Sequence, residues 1–245
     1  MESRPIEALI ADDSPLAGKE QHVLREWIAE WTFDIHQFSD LAQTLVRGDI
    51  ASLQRDYQKL VDHYTEQSHS HEESLRKAAD EYRHMRETRL KMPAMEVVIA
   101  GAQYYVGRKD SNIPSDDSSM STAHAASAAL ATARRHGHSH SPPEHARCLR
   151  FLREAGVNVD DEDVAGFTAF MRASQTSHSR LDLAEVLLEL GADVNHKSRF
   201  GGVVLHEAMM AQDRRAVAFL TRNGASMDIR DNDGVSPRDI VSLIL

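Results

Sequence analysis

The sequence predicts an all-α solenoid: stacked helix–turn–helix units with short β-turn fingers, preceded by a helical cap. Two observations predict it. Three segments repeat one phrase, Leu149-Arg-Phe-Leu-Arg-Glu-Ala-Gly156, Val186-Leu-Leu-Glu-Leu-Gly191 and Phe219-Leu-Thr-Arg-Asn-Gly224, and the closing glycines are spaced by 35 and 33 residues. Self-similarity at a fixed step of about 33 residues marks a stack of small helical units. A second set of positions keeps the same step: Gly166-Phe-Thr-Ala-Phe-Met-Arg-Ala173, Gly201-Gly-Val-Val-Leu-His-Glu-Ala208 and Gly234-Val-Ser-Pro-Arg-Asp-Ile-Val241 align residue for residue.

Taken in chain order, residues 1–40 form a loose start and a cap. His22-Val-Leu-Arg-Glu-Trp27-Ile-Ala-Glu-Trp31 places Val23, Leu24, Trp27, Ile28 and Trp31 at helical spacing, which suits one helix covering the open end of a stack. Over 41–156 the pattern is degenerate. Leu41, Leu45, Val46, Ile50, Leu53, Leu60 and Val61 describe two helices broken at Gly48-Asp49. Thr65 to Arg89 is rich in charge and reads as a solvated helix or a connection. Pro93-Ala-Met-Glu-Val-Val-Ile-Ala-Gly-Ala-Gln103 is the inner helix of a second unit, with proline tolerated in the first turn.

An insertion over about 107–143 follows. Its Asp110–Met120 part is a Ser/Asp-rich loop, Ser121–Arg135 is alanine-rich and helix-prone, and His136-Gly-His-Ser-His-Ser-Pro-Pro143 breaks that helix. The outer helix resumes at Glu144. In a second register, Thr122-Ala-His-Ala-Ala126 starts an inner helix and 121–156 is a unit of its own. Residues 157–245 are the regular repeats. The last is incomplete, because the chain runs Ile240-Val-Ser-Leu-Ile-Leu245 without an outer helix. Apolar side chains at the end of a stack are normally covered, so the expectation is a patch that seeks a second copy or a continuation of the polypeptide.

The aligned segments resemble the ankyrin repeat, with its Gly-x-Thr-Pro-Leu-His-x-Ala and Leu-Leu-x-x-Gly-Ala-Asp-Val-Asn phrases. Ser236-Pro237 keeps the Thr/Ser-Pro pair, Leu205-His206 keeps Leu-His, and Ala169-Phe170-Met171 and Val204 depart from the pattern. Glu87-Thr-Arg-Leu-Lys-Met-Pro-Ala-Met95, Leu181-Asp-Leu-Ala-Glu-Val-Leu-Leu188 and Asp231-Asn-Asp-Gly-Val-Ser-Pro237 are together similar to fungal ankyrin-repeat proteins that often continue into a MYND zinc finger. One cysteine cannot build that finger. The resemblance implies a β-turn plus two antiparallel helices per unit and a role in recognition.

Composition narrows the function classes. A net charge of −10 over 245 residues disfavours generic binding to nucleic acid or anionic lipid, both of which need cationic patches. The lone Cys148 excludes an intrachain disulfide and sits in an apolar helix stripe, as a core residue does. No run of 18 apolar residues and no basic-then-apolar N-terminus occurs, so the expected location is cytoplasmic or nuclear, with no membrane partner.

Neither of two candidate chemistries gains support. His136, His138 and His140, with His145 nearby, could chelate a transition metal, and the alternative function is a metal-binding protein or metal-dependent enzyme using the tract 136–145. The run from His136 to His140 has no carboxylate within it, and His69 and His71 in Ser68-His-Ser-His-Glu72 earn the same reading. Asp160-Asp-Glu-Asp163 could suggest paired-carboxylate catalysis, but in register it is an exposed finger. No phosphate-cradling or nucleophile-elbow motif occurs.

The expectation is therefore a non-catalytic protein-interaction scaffold or adaptor, requiring no cofactor, whose partner is another protein bound through fingers and inner helices. The contact residues are those that vary between copies: Asp161, Glu162 and Asp163 in one finger, Lys197, Ser198, Arg199 and Phe200 in the next, and Arg230, Asp231 and Asn232 in the last. Alternation from acidic to basic to mixed charge favours discrimination between partners. Phe200 and Met209-Met210 are the apolar anchor candidates.

Overall fold

The computed structural model describes residues 33–67, 70–88, 90–109, 144–175 and 179–244, without the side chains of 105–109 and 241–244. The expected tryptophan helix at 22–31, His136 to His140 and most of the insertion lie outside these residues.

Helices alternate between an inner and an outer row. The inner row is α1 (Asp40–Arg47), α4 (Ala94–Lys109), α6 (Ala169–Ser174), α8 (Val204–Met210) and α10 (Pro237–Ile244). The outer row is α2 (Ile50–Glu66), α5 (His145–Glu154), α7 (Leu181–Glu189) and α9 (Arg214–Arg222), while α3 (His71–Arg83) lies against α2. Inner helices pack in the order α1, α4, α6, α8, α10, so each unit buries its apolar stripe against the next. The β pairing among the described residues is the bridge Glu87–Met92. This is an all-α repeat fold, as the period requires.

Local chemistry sets the boundaries. Ser39, Asp49, Ser70, Thr168 and Asp213 each cap a helix N-terminus with a side-chain oxygen. The three phrase-closing glycines end α5, α7 and α9 with φ of 82, 98 and 90° at Gly156, Gly191 and Gly224, the left-handed conformation that a C-cap needs.

The segment after α2 departs from expectation. Residues 71–83 form the helix of the two alternatives, but it is solvated on one face only: Ser74, Ala78, Ala79 and Tyr82 are buried. The Arg83 guanidinium also donates to the Ala155 and Gly156 carbonyls at 3.0 and 3.1 Å, closing the end of α5. Small residues that let α3 approach α2 closely carry little hydrophobic weight, which hid the packing face.

A finger contact joins the segments on either side of the insertion. The Val164 N–H donates to the Leu90 carbonyl at 2.9 Å, so the hairpin at 87–92 and the finger at 163–167 are direct neighbours. α4 also packs against α5.

Cys148 is fully buried, and burial pushes its thiol up to about 12. Relative to an ordinary thiol, roughly a thousandfold less thiolate is available at neutral pH. Mass-spectrometric alkylation with iodoacetamide should therefore label the chain in urea and leave the native chain unlabelled over the same interval. Stoichiometric native labelling would contradict this packing.

Ile240 on α10 is buried. The side chains of 241–245, on which the expected apolar patch falls, lie outside the described residues.

Candidate functional site

Four fingers stand in a row, at 87–92, 163–167, 198–202 and 231–235. Each of the last three closes on a backbone bond across the turn: Asp163 N–H to the Phe167 carbonyl, Ser198 to Gly202 and Asp231 to Val235, at 2.9 to 3.0 Å. Neighbouring fingers are joined by one further bond each. Val164 donates to Leu90, Arg199 to the Ala165 carbonyl at 2.9 Å, and Asn232 to the Phe200 carbonyl at 3.1 Å. Asn232 adds a side-chain bond to the Arg199 carbonyl at 2.9 Å, and Lys197 Nζ reaches the Arg230 carbonyl at 3.2 Å. The result is a fixed row of tips along one edge.

Inside each turn an acidic side chain holds the backbone. Asp163 Oδ1 accepts from the Ala165 and Phe167 N–H groups at 2.8 and 3.0 Å; Asp231 Oδ1 does the same for Asp233 and Val235 at 3.0 and 2.8 Å. Ser198 occupies the equivalent place in the middle finger, and its Oγ accepts one such bond, from Phe200 at 3.3 Å.

The ten sequence-selected residues therefore divide, with Ser198 buried. Glu162, Lys197, Arg199, Arg230 and Asn232 are exposed on the edge, while Asp161, Phe200 and Asp231 are half-buried. Phe200 tilts against Phe167 with ring centroids 6.3 Å apart. Asp163 corrects the expectation of an exposed acidic finger, because it is 3% exposed and points into the stack. Its run of acidic neighbours disguised a turn-forming residue. Met210 is 58% exposed, whereas Met209 packs against the core.

The edge carries opposed charges. Glu162 Oε1 lies 2.9 Å from His196 Nε2, Asp161 lies 4.0 Å from Arg86, and Arg230 contacts Asp239 at 2.9 Å. Exposed pairs of this kind add little stability, which leaves their charges available for exchange with a partner's.

Behind the edge, α4, α6 and the finger at 163–167 enclose a charged cluster that the sequence did not reveal. Glu96 on α4 is completely buried, and its Oε1 accepts from Nε of Arg172 on α6, itself 8% exposed. Asp163 Oδ2 lies 3.6 Å from Arg172 Nη2. Burial, opposed by Arg172 and reinforced by Asp163, pushes the Glu96 carboxyl up to about 8. Burial also raises Asp163.

His206 ties two units together. Its Nδ1 accepts from the Val203 N–H at 3.1 Å, so the ring proton sits on Nε2 and is donated to the Val235 carbonyl at 3.0 Å. The imidazole supplies the helix cap that Val203 cannot and anchors the following finger. His206→Ala should cost about 1–3 kcal/mol, through an unpaired N–H and an unpaired carbonyl. An unchanged urea midpoint would refute that role.

Of the histidines in the two clusters, His71 and His145 are among the described residues. His145 is buried, with Nε2 3.1 Å from the Val46 carbonyl, and burial lowers its pKa. It is thus part of the core and is not available as a metal ligand. His71 opens α3 and is exposed. Among the described residues no three His, Cys, Asp or Glu side chains converge as metal ligands.

Comparison with known proteins agrees with this geometry. The family model described as ankyrin repeat matches residues 165–199, the stretch from one finger to the next. Residues 165–199 are an ankyrin repeat. The chain is 31% identical over 77 residues to putative ankyrin repeat protein L271 of Acanthamoeba polyphaga mimivirus, covering 31% of this chain and 10% of that protein. Over 96 residues it is 30% identical to ankyrin repeat and SOCS box protein 11 of Mus musculus, covering 39% and 29%. Over 93 residues it is 34% identical to putative ankyrin repeat protein FPV031 of Fowlpox virus (strain NVSL), covering 36% and 26%. The chain spans less than a third of the length of each of these relatives. Ankyrin repeats in general mediate protein–protein interaction. Among the described residues no helix is long and apolar enough to cross a membrane.

Proposed function

We propose that this protein is a non-catalytic adaptor that binds another protein along its finger edge. The observation that carries this reading is the row of tips joined at Leu90–Val164, Ala165–Arg199 and Phe200–Asn232. Hydrogen bonds between successive turns fix the spacing of Glu162, Lys197, Arg199 and Arg230, so their ordering entropy is already lost before a partner arrives. Pre-set charges of both signs favour a partner of matching pattern over one of uniform charge.

The test compares affinity enrichment from native lysate by the wild-type chain, a Glu162→Lys/Lys197→Glu/Arg199→Glu variant, and Arg153→Glu, an exposed change on the outer helix α5. A protein retained by wild type and Arg153→Glu and lost from the edge variant, at equal thermal stability, supports the reading. Equal retention by all three refutes it.

A further inference from the structure

Glu96, Arg172 and Asp163 meet from three elements, and their charges do not balance. One guanidinium carries one positive charge, while two ionised carboxylates carry two negative ones. Full ionisation would leave a net negative charge in a space where Glu96 is 0%, Asp163 3% and Arg172 8% exposed. An uncompensated buried charge is severely destabilising.

The oxygen inventory shows where compensation is available. Asp163 Oδ1 is occupied by the Ala165 and Phe167 N–H groups, and Glu96 Oε1 by Arg172. Glu96 Oε2 and Asp163 Oδ2 are both buried and have no hydrogen-bond partner among the described residues. Both carboxyls converge on one guanidinium, Glu96 at Nε and Asp163 at Nη2 of Arg172. A buried acceptor without a hydrogen bond on each of two carboxyls that share one guanidinium is what an added proton would help to satisfy.

We propose that the folded protein holds one proton on the Glu96–Asp163 carboxyl pair, as a structural ligand joining α4, the finger at 163–167 and α6. With it the cluster is neutral. The charged groups acting on Glu96 are Arg172 and Asp163, and those acting on Asp163 are Arg172 and Glu162. Gln103, one helical face along α4, donates to the Arg172 backbone carbonyl at 2.7 Å and adds no charge. The upward displacement of both carboxyls by burial runs in the same direction.

A carboxyl whose folded pKa lies above its unfolded value stabilises the fold fully below the unfolded value. That contribution is lost as pH rises through the folded one. For Glu96 the window runs from 4.5 to about 8. Within it the folded chain holds one proton more than the unfolded chain, so this site raises the unfolding constant about tenfold per pH unit.

Other carboxylates add their own dependence, so the readout is the ratio of wild-type to Glu96→Gln unfolding constants in urea, from about pH 5 to about pH 8. The amide of the variant supplies its N–H at every pH. The ratio should climb about tenfold per pH unit. The infrared band of a protonated carboxyl should be present in wild type at neutral pH and absent from the variant. If Glu96→Gln does not fold, Asp163→Asn serves the same comparison, and if neither folds the wild-type band decides alone. A pH-independent ratio, or no protonated-carboxyl band in the native wild-type chain, overturns the proposal.

Discussion

Gly101→Ala is expected to lower the urea midpoint sharply, by a stability loss of roughly 3 kcal/mol or more, at the upper end of what overpacking costs. A Cβ at position 101 would stand 2.1 Å from the Val46 carbonyl oxygen and 2.6 Å from the Val46 Cα. Those are backbone atoms of α1, so no side chain can rotate aside. The helices would have to separate, which would open the contact through which Ala42, Leu45 and Val46 are buried against α4. Gly191→Ala provides the contrast, since nothing lies within 4 Å of a Cβ there and the cost is the backbone strain of φ 98° alone. Equal losses at the two positions would mean that close approach of α1 and α4 is not what Gly101 provides.

Arg172→Leu is the second large effect, with about 3–5 kcal/mol lost at neutral pH. The substitution keeps an apolar stem on α6 and removes the counter-charge of two buried carboxyls. Their folded pKa values then rise further above the unfolded ones. The penalty is therefore largest at high pH and shrinks as pH falls and protons replace the guanidinium. Urea midpoints of variant and wild type at about pH 5 and about pH 8 measure this directly. A penalty of the same size at both would show that lost packing, and not unpaired charge, is responsible.

How much of this was legible in the sequence depends on whether a constraint lies within one unit or between units. The phrase-closing glycines at 156, 191 and 224 were readable because the C-cap conformation is a local demand repeated at the period. The break at Gly48-Asp49 and the buried Cys148 followed from local spacing for the same reason. Gly101 meets Val46 and Glu96 meets Arg172 across separations of 55 and 76 residues, and no periodic pattern specifies such pairs. A glutamate in an apolar helix and an aspartate in an acidic run look solvated until the partner helix is in place. The run Ala100-Gly101-Ala102 was the available hint of close helix approach, since only small side chains permit it. Residues 71–83 were misjudged by the same rule in reverse: Ser74, Ala78 and Ala79 make a packing face that a count of large apolar residues misses.

Ser198 gives the stack an uneven grain. Where Asp163 and Asp231 each grip two amides, Ser198 grips one, although the same turn must carry the bond to the Ala165 carbonyl on one side and the bond from the Asn232 N–H on the other. Units of a linear array touch only their neighbours, so a load applied between the two ends passes through every finger in series and is relieved at the weakest. The fracture line then falls between α7 and α8. A stretched molecule would part there into two shorter stacks, each still held by its own aspartate-bound turn.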